Sequence, residues 1–437
     1  MIKLPFIGSY LSFFLNPLGY FEMMSKNYSD VATADFGFLG KSYYLFNPDY
    51  IEKFFNDGKR LHRKELNRLF GDGLFTLEAG QQSEQQRAEL KKCFNTASLE
   101  YIISVIQSRA KQFFLKCSTY EGGVSLTAIA KPFVRSLQLA LVIGPMSAND
   151  ESEYLDCIEI LINYLNREFT SIFRVPAHWP TPTNLRFHQS LRKLKKLIKQ
   201  RMSSLLTDSA YQKCNSILAS LLKSTDSNCL YHRDLICEEV LTLLIAGTET
   251  STAIVIWMLY MMSNHIDVQS RLRSDINKFC RDSITVKDLV NLSYARNVVQ
   301  ETLRLYPPAW AMIRFHERPF NVNDVEVPAG SMVWVFPCIT HKDPNHWDRP
   351  DEYLPERFDS GNHLSWKRSA YFPFALGGHR CIAERFVMTQ AQIIASFAAK
   401  DFTLISMSPL NIRPKIGIAL LPSSSPRVAF KNVNNGK

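Results

Sequence analysis

Very little in this 437-residue chain suggests a disulfide framework, a repeat array or an unstructured polymer. Nine cysteines occur, an odd number, at the widely spaced positions 93, 117, 157, 214, 229, 237, 280, 338 and 381, and no CxxC pair is among them. That argues against a disulfide scaffold, a structural zinc site and a fused iron–sulfur module, and for a reducing cytosol. No Pro/Gly/Ser linker, low-complexity tract or internal repeat divides the sequence, so one large domain over 1–437 is expected. Charged residues make up only 21%, with 46% hydrophobic and 12% aromatic, which excludes a disordered chain. Long apolar runs are also scarce. The N-terminal one is broken by Pro5, Gly8, Asn16 and Pro17 and reads neither as a signal peptide nor as an anchor. The other, Val240 to Met262, could span a bilayer by length but carries Glu249 near its centre. A carboxylate is costly in lipid, so a helix buried in a soluble protein is the expectation.

What is present is basic and mostly helical. Lys+Arg total 51 against 41 Asp+Glu, a net charge of +10, which suits an anionic partner or surface. Apolar residues at three- and four-residue spacing predict helices over Leu126–Ile143, Tyr154–Phe169 and about Thr183–Leu206. Prolines 176, 180 and 182 mark a loop between the last two. Short strand patterns occur near Tyr43–Phe46, at Met332–Phe336 after a Pro328-Ala329-Gly330 turn, and near the C-terminus. The fold class is therefore mainly α with small β-sheets (α+β). The helical core is placed at about 85–305 and 381–400, the β-rich portions at about 30–60, 310–340 and 400–430.

The strongest local signal is Phe374-Ala375-Leu376-Gly377-Gly378-His379-Arg380-Cys381-Ile382-Ala383. A single cysteine follows a glycine-containing loop and precedes an amphipathic helix predicted to start near it. Glycine permits the sharp turn, and a helix N-terminus favours negative charge, so a thiolate is stabilised. Such a thiolate can serve as an axial ligand of haem iron, although a small buried cysteine at a helix start would look the same.

These residues resemble the haem-binding signature of the cytochrome P-450 family. Three further motifs resemble that family in the same order. Ala246-Gly247-Thr248-Glu249-Thr250-Ser251 matches its central-helix motif, Glu301-Thr302-Leu303-Arg304 its ExxR helix, and Pro355-Glu356-Arg357-Phe358 its PxRF element. The resemblance covers essentially the whole chain. It departs from the family at Ser83, where Trp or His is usual, at Ala375 and Ala383, where Gly is usual, and at His379, where Arg is common.

The resemblance implies a cytochrome P-450 fold, haem b (iron protoporphyrin IX) as cofactor, and a haem-thiolate monooxygenase that inserts one atom of O2 into an apolar substrate. A terpene, fatty acyl or polyketide-like skeleton is expected, with hydroxylation in secondary metabolism; the alternative is desaturation, ring formation or oxidative coupling on the same fold. Cys381 is the implied iron ligand. Thr250 and Glu249 are the implied proton-delivery pair, against the plainer reading of Thr250 as a hydroxyl bonded back to a helical carbonyl. Arg87, Arg314 and His379 are the candidates for the haem propionates, with Phe374, Gly377 and Ala246 completing the cofactor site. Glu301, Arg304 and Arg357 are expected to form a buried structural network that holds the cysteine loop.

Substrate contacts are expected from Leu74-Phe75, the 165–185 region, Leu243, Ala246, Ala309–Met312 and Ile418-Ala419. Lys91, Lys92, Arg380 and Arg385 would form a basic face for an acidic electron donor, a ferredoxin or a flavodoxin-like flavin protein. The helix carrying Leu191, Leu194, Leu197 and Ile198 beside Arg192, Lys193, Lys195, Lys196, Lys199 and Arg201 reads as a solvated helix or as a peripheral membrane contact. A cytoplasmic monomer is expected, with no nucleic-acid partner.

Overall fold

The computed structural model describes residues 13, 15–35, 41–57, 59–60, 70–77, 80–93, 96–171, 175–207, 214–223, 232–280, 283–315, 318–361 and 366–433; within a few of these elements, His379 among them, only the backbone is described. The helices are α1 (Pro17–Asn27), α2 (Pro48–Asp57), α3 (Gln81–Lys92), α4 (Thr96–Ser118), α5 (Leu126–Val142) and α6 (Ala148–Thr170). They continue with α7 (Pro182–Thr207), α8 (Ile217–Lys223), α9 (Arg233–Asn264), α10 (Ile266–Phe279), α11 (Ser293–Leu305) and α12 (Glu384–Asp401).

The starts of these helices follow local chemistry. Ser125 Oγ accepts from the Ala128 amide at α5, Ser147 Oγ from Asp150 at α6, and His232 Nδ1 from Leu235 at α9. Each satisfies one of the amides a helix start leaves over. Helix α11 ends at Leu305, with Tyr306 alone between it and Pro307-Pro308, because the residue before a proline disfavours the helical conformation.

The strands are β1 (Val31–Asp35), β2 (Lys41–Leu45), β3 (Lys59–Arg60), β4 (Val124–Ser125), β5 (Met312–Phe315), β6 (Phe320–Val322), β7 (Val325–Val327) and β8 (Met332–Val335). Near the C-terminus lie β9 (Phe402–Ser406), β10 (Pro414–Lys415), β11 (Leu421–Pro422) and β12 (Arg427–Asn432). The main sheet has the order β1-β2-β8-β5-β3, with β2 and β8 parallel and the remaining neighbours antiparallel. A second sheet orders β4-β12-β9, and β6-β7 and β10-β11 are two-stranded.

Helix α9 is the axis of the body. It packs against α5, α6, α7, α8, α10, α11, α12, β9 and β11. It passes the length and hydropathy test for a membrane span, but 78% of its most apolar window is buried inside the protein. All-round burial explains its all-round apolarity. From Leu235 to Ser263 it is buried except at Glu238, Leu243, Ala246, Gly247 and Thr250. The last four recur at three- and four-residue spacing, so they form one stripe.

One boundary shifts here and one alternative falls. The last helix, expected to start near Cys381, begins at Glu384: Ile382 and Ala383 form a turn, with Ala383 at φ −90° and ψ 10°. The apolar stripe of α7 is core, since Leu194 and Ile198 are fully buried and Leu191 is 7% exposed. Its lysines pair with neighbouring helices, Lys193 with Glu153 at 3.2 Å, Lys195 with Glu238 at 3.6 Å and Lys199 with Asp234 at 2.6 Å. The solvated-helix reading holds for α7, and the stripe is not offered to a membrane.

Candidate active site around the cysteine loop

The segment Phe372–Cys381 is held by its own backbone and by α2. The Ala375 amide donates to Phe372 O at 3.1 Å, and the Cys381 amide to Phe374 O at 2.8 Å. Two residues take left-handed conformations, Ala375 at φ 64° and Gly377 at φ 66°. Gly377 is fixed twice over, because a Cβ there would meet Phe55 O at 2.7 Å and Asn56 Oδ1 at 3.2 Å. Ala375 bears the strain that glycine would avoid. Cys381 is exposed, whereas the other described cysteines are buried.

Cationic groups approach the loop from two sides. Arg87 on α3 donates to Arg380 O at 2.7 Å. Burial pulls the pKa of its guanidinium down, and the Cys381 sulfur opposes that pull. Arg314 on β5 is 4% exposed, with its guanidinium 5.1 Å from the centre of the Phe55 ring, the residue whose carbonyl lies under Gly377. Arg380 is clamped to Glu384 at 2.6 Å, and Lys91, Lys92 and Arg385 are exposed. The side chain of His379 lies outside the described residues. Ser83, the departure beside Arg87, serves its own helix. Its Oγ accepts the Gly80 amide at 3.1 Å and donates to Gly80 O at 2.9 Å, closing the start of α3.

The motif residues of α9 behave differently from one another. Thr250 Oγ1 donates to Ala246 O at 2.9 Å, and Thr248 and Thr252 bond back to Leu244 O and Thr248 O at 2.5 and 2.7 Å. The plainer reading of Thr250 is therefore the one realised in this structure, with the side chain half-buried on the accessible stripe. Glu249 is 2% exposed, and neither carboxylate oxygen has a hydrogen-bond partner among the described residues. Gly247 lies beside Gln138, where a Cβ would sit 3.4 Å from Oε1.

The ExxR and PxRF residues come together completely. Arg304 Nε and Nη2 donate to Glu301 Oε2 and Oε1 at 2.7 and 2.8 Å. Arg304 also donates to the carbonyls of His341, Pro350 and Glu352 at 3.0, 2.6 and 2.9 Å. Arg357 Nε donates to Glu301 Oε1 at 3.2 Å, and its other nitrogens to Asp348 O and Arg349 O. The Leu354 amide adds a bond to Glu301 Oε1 at 2.8 Å. Burial lowers the pKa of Arg357, and Glu301 raises it again.

Of the expected substrate contacts, Phe75, Leu243, Ala246, Ala309, Met312 and Ile418 are half-buried. Trp310 is packed in the core. It is 8% exposed, donates from its indole to Gly417 O at 3.0 Å and packs beside Phe21 in the core under the main sheet. Sequence reasoning missed Glu239, 1% exposed on α9, whose Oε1 accepts the Leu74 amide at 2.9 Å and whose Oε2 makes no hydrogen bond among the described residues. Burial pushes its pKa up to about 8. Its spacing from Ala246 and Thr250, seven and eleven residues, was the available signal.

The donor set suits an iron porphyrin. One accessible sulfur stands on a turn fixed by backbone hydrogen bonds, two arginines flank that turn, and Phe374, Ile382 and Ala383 border the core cluster that contains α9. Among the described residues no group of three or more His, Cys, Asp and Glu side chains could hold a metal ion by itself.

A family model described as cytochrome P-450 matches residues 2–428. Among curated proteins, the chain is 21% identical to cyclooctat-9-en-7-ol 5-monooxygenase of Streptomyces melanosporofaciens, over 92% of this chain and 88% of that protein. It is 24% identical to cyclooctatin synthase of the same organism, over 82% and 78%, and 25% identical to lanosterol 14-alpha demethylase of Rattus norvegicus, over 92% and 81%. Among solved structures, a retinoic acid-bound cyanobacterial protein superposes with a TM-score of 0.83 at 19% identity, covering 97% of this chain and 96% of that one.

Proposed function

The chain belongs to the cytochrome P-450 family, a family of haem b monooxygenases, and from that premise we propose that Cys381 is the thiolate ligand of its iron and that the substrate is an extended apolar skeleton of terpene type. The observation that carries the first half is the Phe372–Cys381 turn, whose amide bonds and two left-handed residues present one sulfur outward. When bound, the haem supplies O2 activation, and a thiolate ligand favours O–O cleavage. Arg87 and Arg314 hold its propionates, together with His379, while Phe374, Gly377 and Ala246 shape its surroundings.

The chain's own part is binding and proton supply. Thr250 Oγ1 must leave Ala246 O and turn into the accessible stripe to donate its proton there. The unpartnered Glu249 carboxylate is the group from which a proton can be resupplied through water. Glu301, Arg304 and Arg357 take no part in the chemistry and hold the loop. Leu243, Ala246, Phe75, Ala309 and Met312 offer an apolar lining, which supports a hydrocarbon-rich substrate.

Family members take electrons from a redox partner. Lys91, Lys92, Arg380 and Arg385 on the cysteine side support docking of an acidic ferredoxin or flavodoxin. The exposed Phe169, Trp179 and Leu185 support a peripheral membrane contact around the segment joining α6 and α7. We place the protein in the cytoplasm as a monomer, in keeping with described cysteines that form no disulfide. The test is turnover under 18O2 with a ferredoxin, its reductase and a panel of terpenes and fatty acids. Product carrying one 18O atom is expected. Products that have lost two hydrogens and carry no 18O would replace insertion by desaturation or coupling.

A further inference from the structure

We propose that His341 is a positioning residue for the cysteine loop: a neutral imidazole that accepts the Phe372 amide and so carries the fixed geometry of the Glu301–Arg304–Arg357 cluster to Cys381. The inference rests on the reading of Cys381 as the iron ligand and adds the means by which that ligand is held in register.

His341 follows the one-turn helix Pro337–Thr340 and is fully buried. It makes two bonds in opposite directions. Its carbonyl accepts Arg304 Nη1 at 3.0 Å, and its ring Nε2 accepts the Phe372 amide at 3.0 Å. The ring lies edge-on to Phe372 at 5.2 Å and tilted against Tyr371 at 5.3 Å. Accepting the amide requires a lone pair on Nε2, so the proton of the neutral ring belongs on Nδ1. The backbone carbonyls of Arg304 and Leu303 act on the ring and favour a donor, although Nδ1 closes no hydrogen bond. An imidazolium would put a proton where the amide proton already points. Burial, followed by the charge of Arg304, pushes the pKa down to about 3, which keeps the ring neutral in the cell.

From Phe372 the chain of contacts runs on without a break. Its carbonyl accepts the Ala375 amide at 3.1 Å, Ala375 turns the chain at φ 64°, and Phe374 O accepts the Cys381 amide at 2.8 Å. Arg304, although it defines one end, makes no hydrogen bond to the described residues of this loop; its side-chain partners among the described residues are Glu301 and the carbonyls of His341, Pro350 and Glu352. Among the described residues His341 therefore joins the saturated cluster to the loop, beside Tyr371, whose hydroxyl donates to Gln300 O at 3.0 Å. Without an acceptor there, the Phe372 amide would be buried with nothing to bond.

The test uses full-length haem-loaded protein with His341→Phe, which keeps the ring volume and removes the acceptor, and His341→Gln, which restores one. Two readouts are taken: the fraction of reduced, CO-bound protein absorbing at the red-shifted thiolate band after mild heating, and amide exchange of residues 372–381 against β9 and β12 as internal reference. His341→Phe should lose the thiolate band at temperatures where the wild type keeps it. Its 372–381 amides should exchange about tenfold faster relative to the reference, and His341→Gln should restore both. An unchanged band and unchanged relative exchange in a folded His341→Phe protein would overturn the proposal. If that variant does not fold, the wild type still decides: Phe372 must be among the slow amides, and exchange as fast as that of exposed turns would overturn it. A wild type without the thiolate band removes the reading of Cys381 instead, which separates the two failures.

Discussion

Glu301 and Glu249 are both buried carboxylates on long internal helices, and their surroundings could hardly differ more. Glu301 accepts four hydrogen bonds, two from Arg304, one from Arg357 and one from the Leu354 amide. Glu249 accepts none among the described residues. A saturated buried carboxylate has nothing left to offer a reacting group, and it resists rearrangement because each partner is itself fixed. An unsatisfied one raises the energy of the resting fold and is retained where a proton or a water must pass. On the proposed reading, the same fold keeps one acid for architecture and one for chemistry. Glu239 stands between them, with one oxygen bonded and the other not.

The comparison is broken most severely by Glu301→Ala. Two buried guanidinium groups would lose their counter-charge, at a cost of about 3–5 kcal/mol, and the expected result in a urea titration is little folded haem-bound protein. Glu301→Gln should recover little, because an amide cannot accept from both arginines and also neutralise them.

Glu239→Gln tests the intermediate case through pH. Its folded pKa, raised to about 8, means that the folded state holds a proton which the unfolded chain releases from about pH 4.5 upward. The wild type therefore loses stability from this group as pH rises from 4.5 to 8, and the loss levels off above that. The glutamine variant has no such term, so between pH 5 and pH 8 its stability should gain on the wild type by on the order of 3 kcal/mol. Parallel stability curves for the two proteins would show that Glu239 is ionised in the fold.

Glu249→Gln and Thr250→Ala should leave folding nearly untouched, within about 1 kcal/mol. Their effect belongs in the coupling of electrons to product, expected to fall about tenfold with peroxide or water formed instead. Equal loss of stability and unchanged coupling would return Glu249 to the architectural class.

The smallest effect is expected at the turn itself. Ala375→Gly relieves a left-handed alanine and should stabilise by about 0.5–1 kcal/mol in thermal melts, after glycine's entropy is set against the strain. Gly377→Ala should do the opposite, since a Cβ there would meet Phe55 O at 2.7 Å.

Much of this was legible in the sequence because the motifs carry their chemistry in residue type. A Glu and an Arg three apart on an apolar helix, with a second Arg after a proline turn, have few ways to be buried except together. The glycine loop before Cys381 was legible for the same reason. The main helical pattern also follows from periodicity, and the mostly helical fold with small sheets agrees with it.

What could not be read was which way a side chain faces once elements meet. Trp310 beside two prolines suits a pocket or a core equally well, and the Phe21 side of the sheet decided it. The lysines of α7 look solvated or membrane-seeking until Glu153, Glu238 and Asp234 are placed across from them. His341 carries no local signal at all, because its two partners lie 37 and 31 residues away in sequence.

The most direct measurement is the visible spectrum of the purified protein, reduced with dithionite and exposed to carbon monoxide, beside Cys381→Ser. Thiolate ligation by Cys381 predicts a strongly red-shifted Soret band in the wild type and its loss in the variant. A wild-type band at the shorter wavelength of a neutral ligand, or a red-shifted band that survives Cys381→Ser, would contradict it.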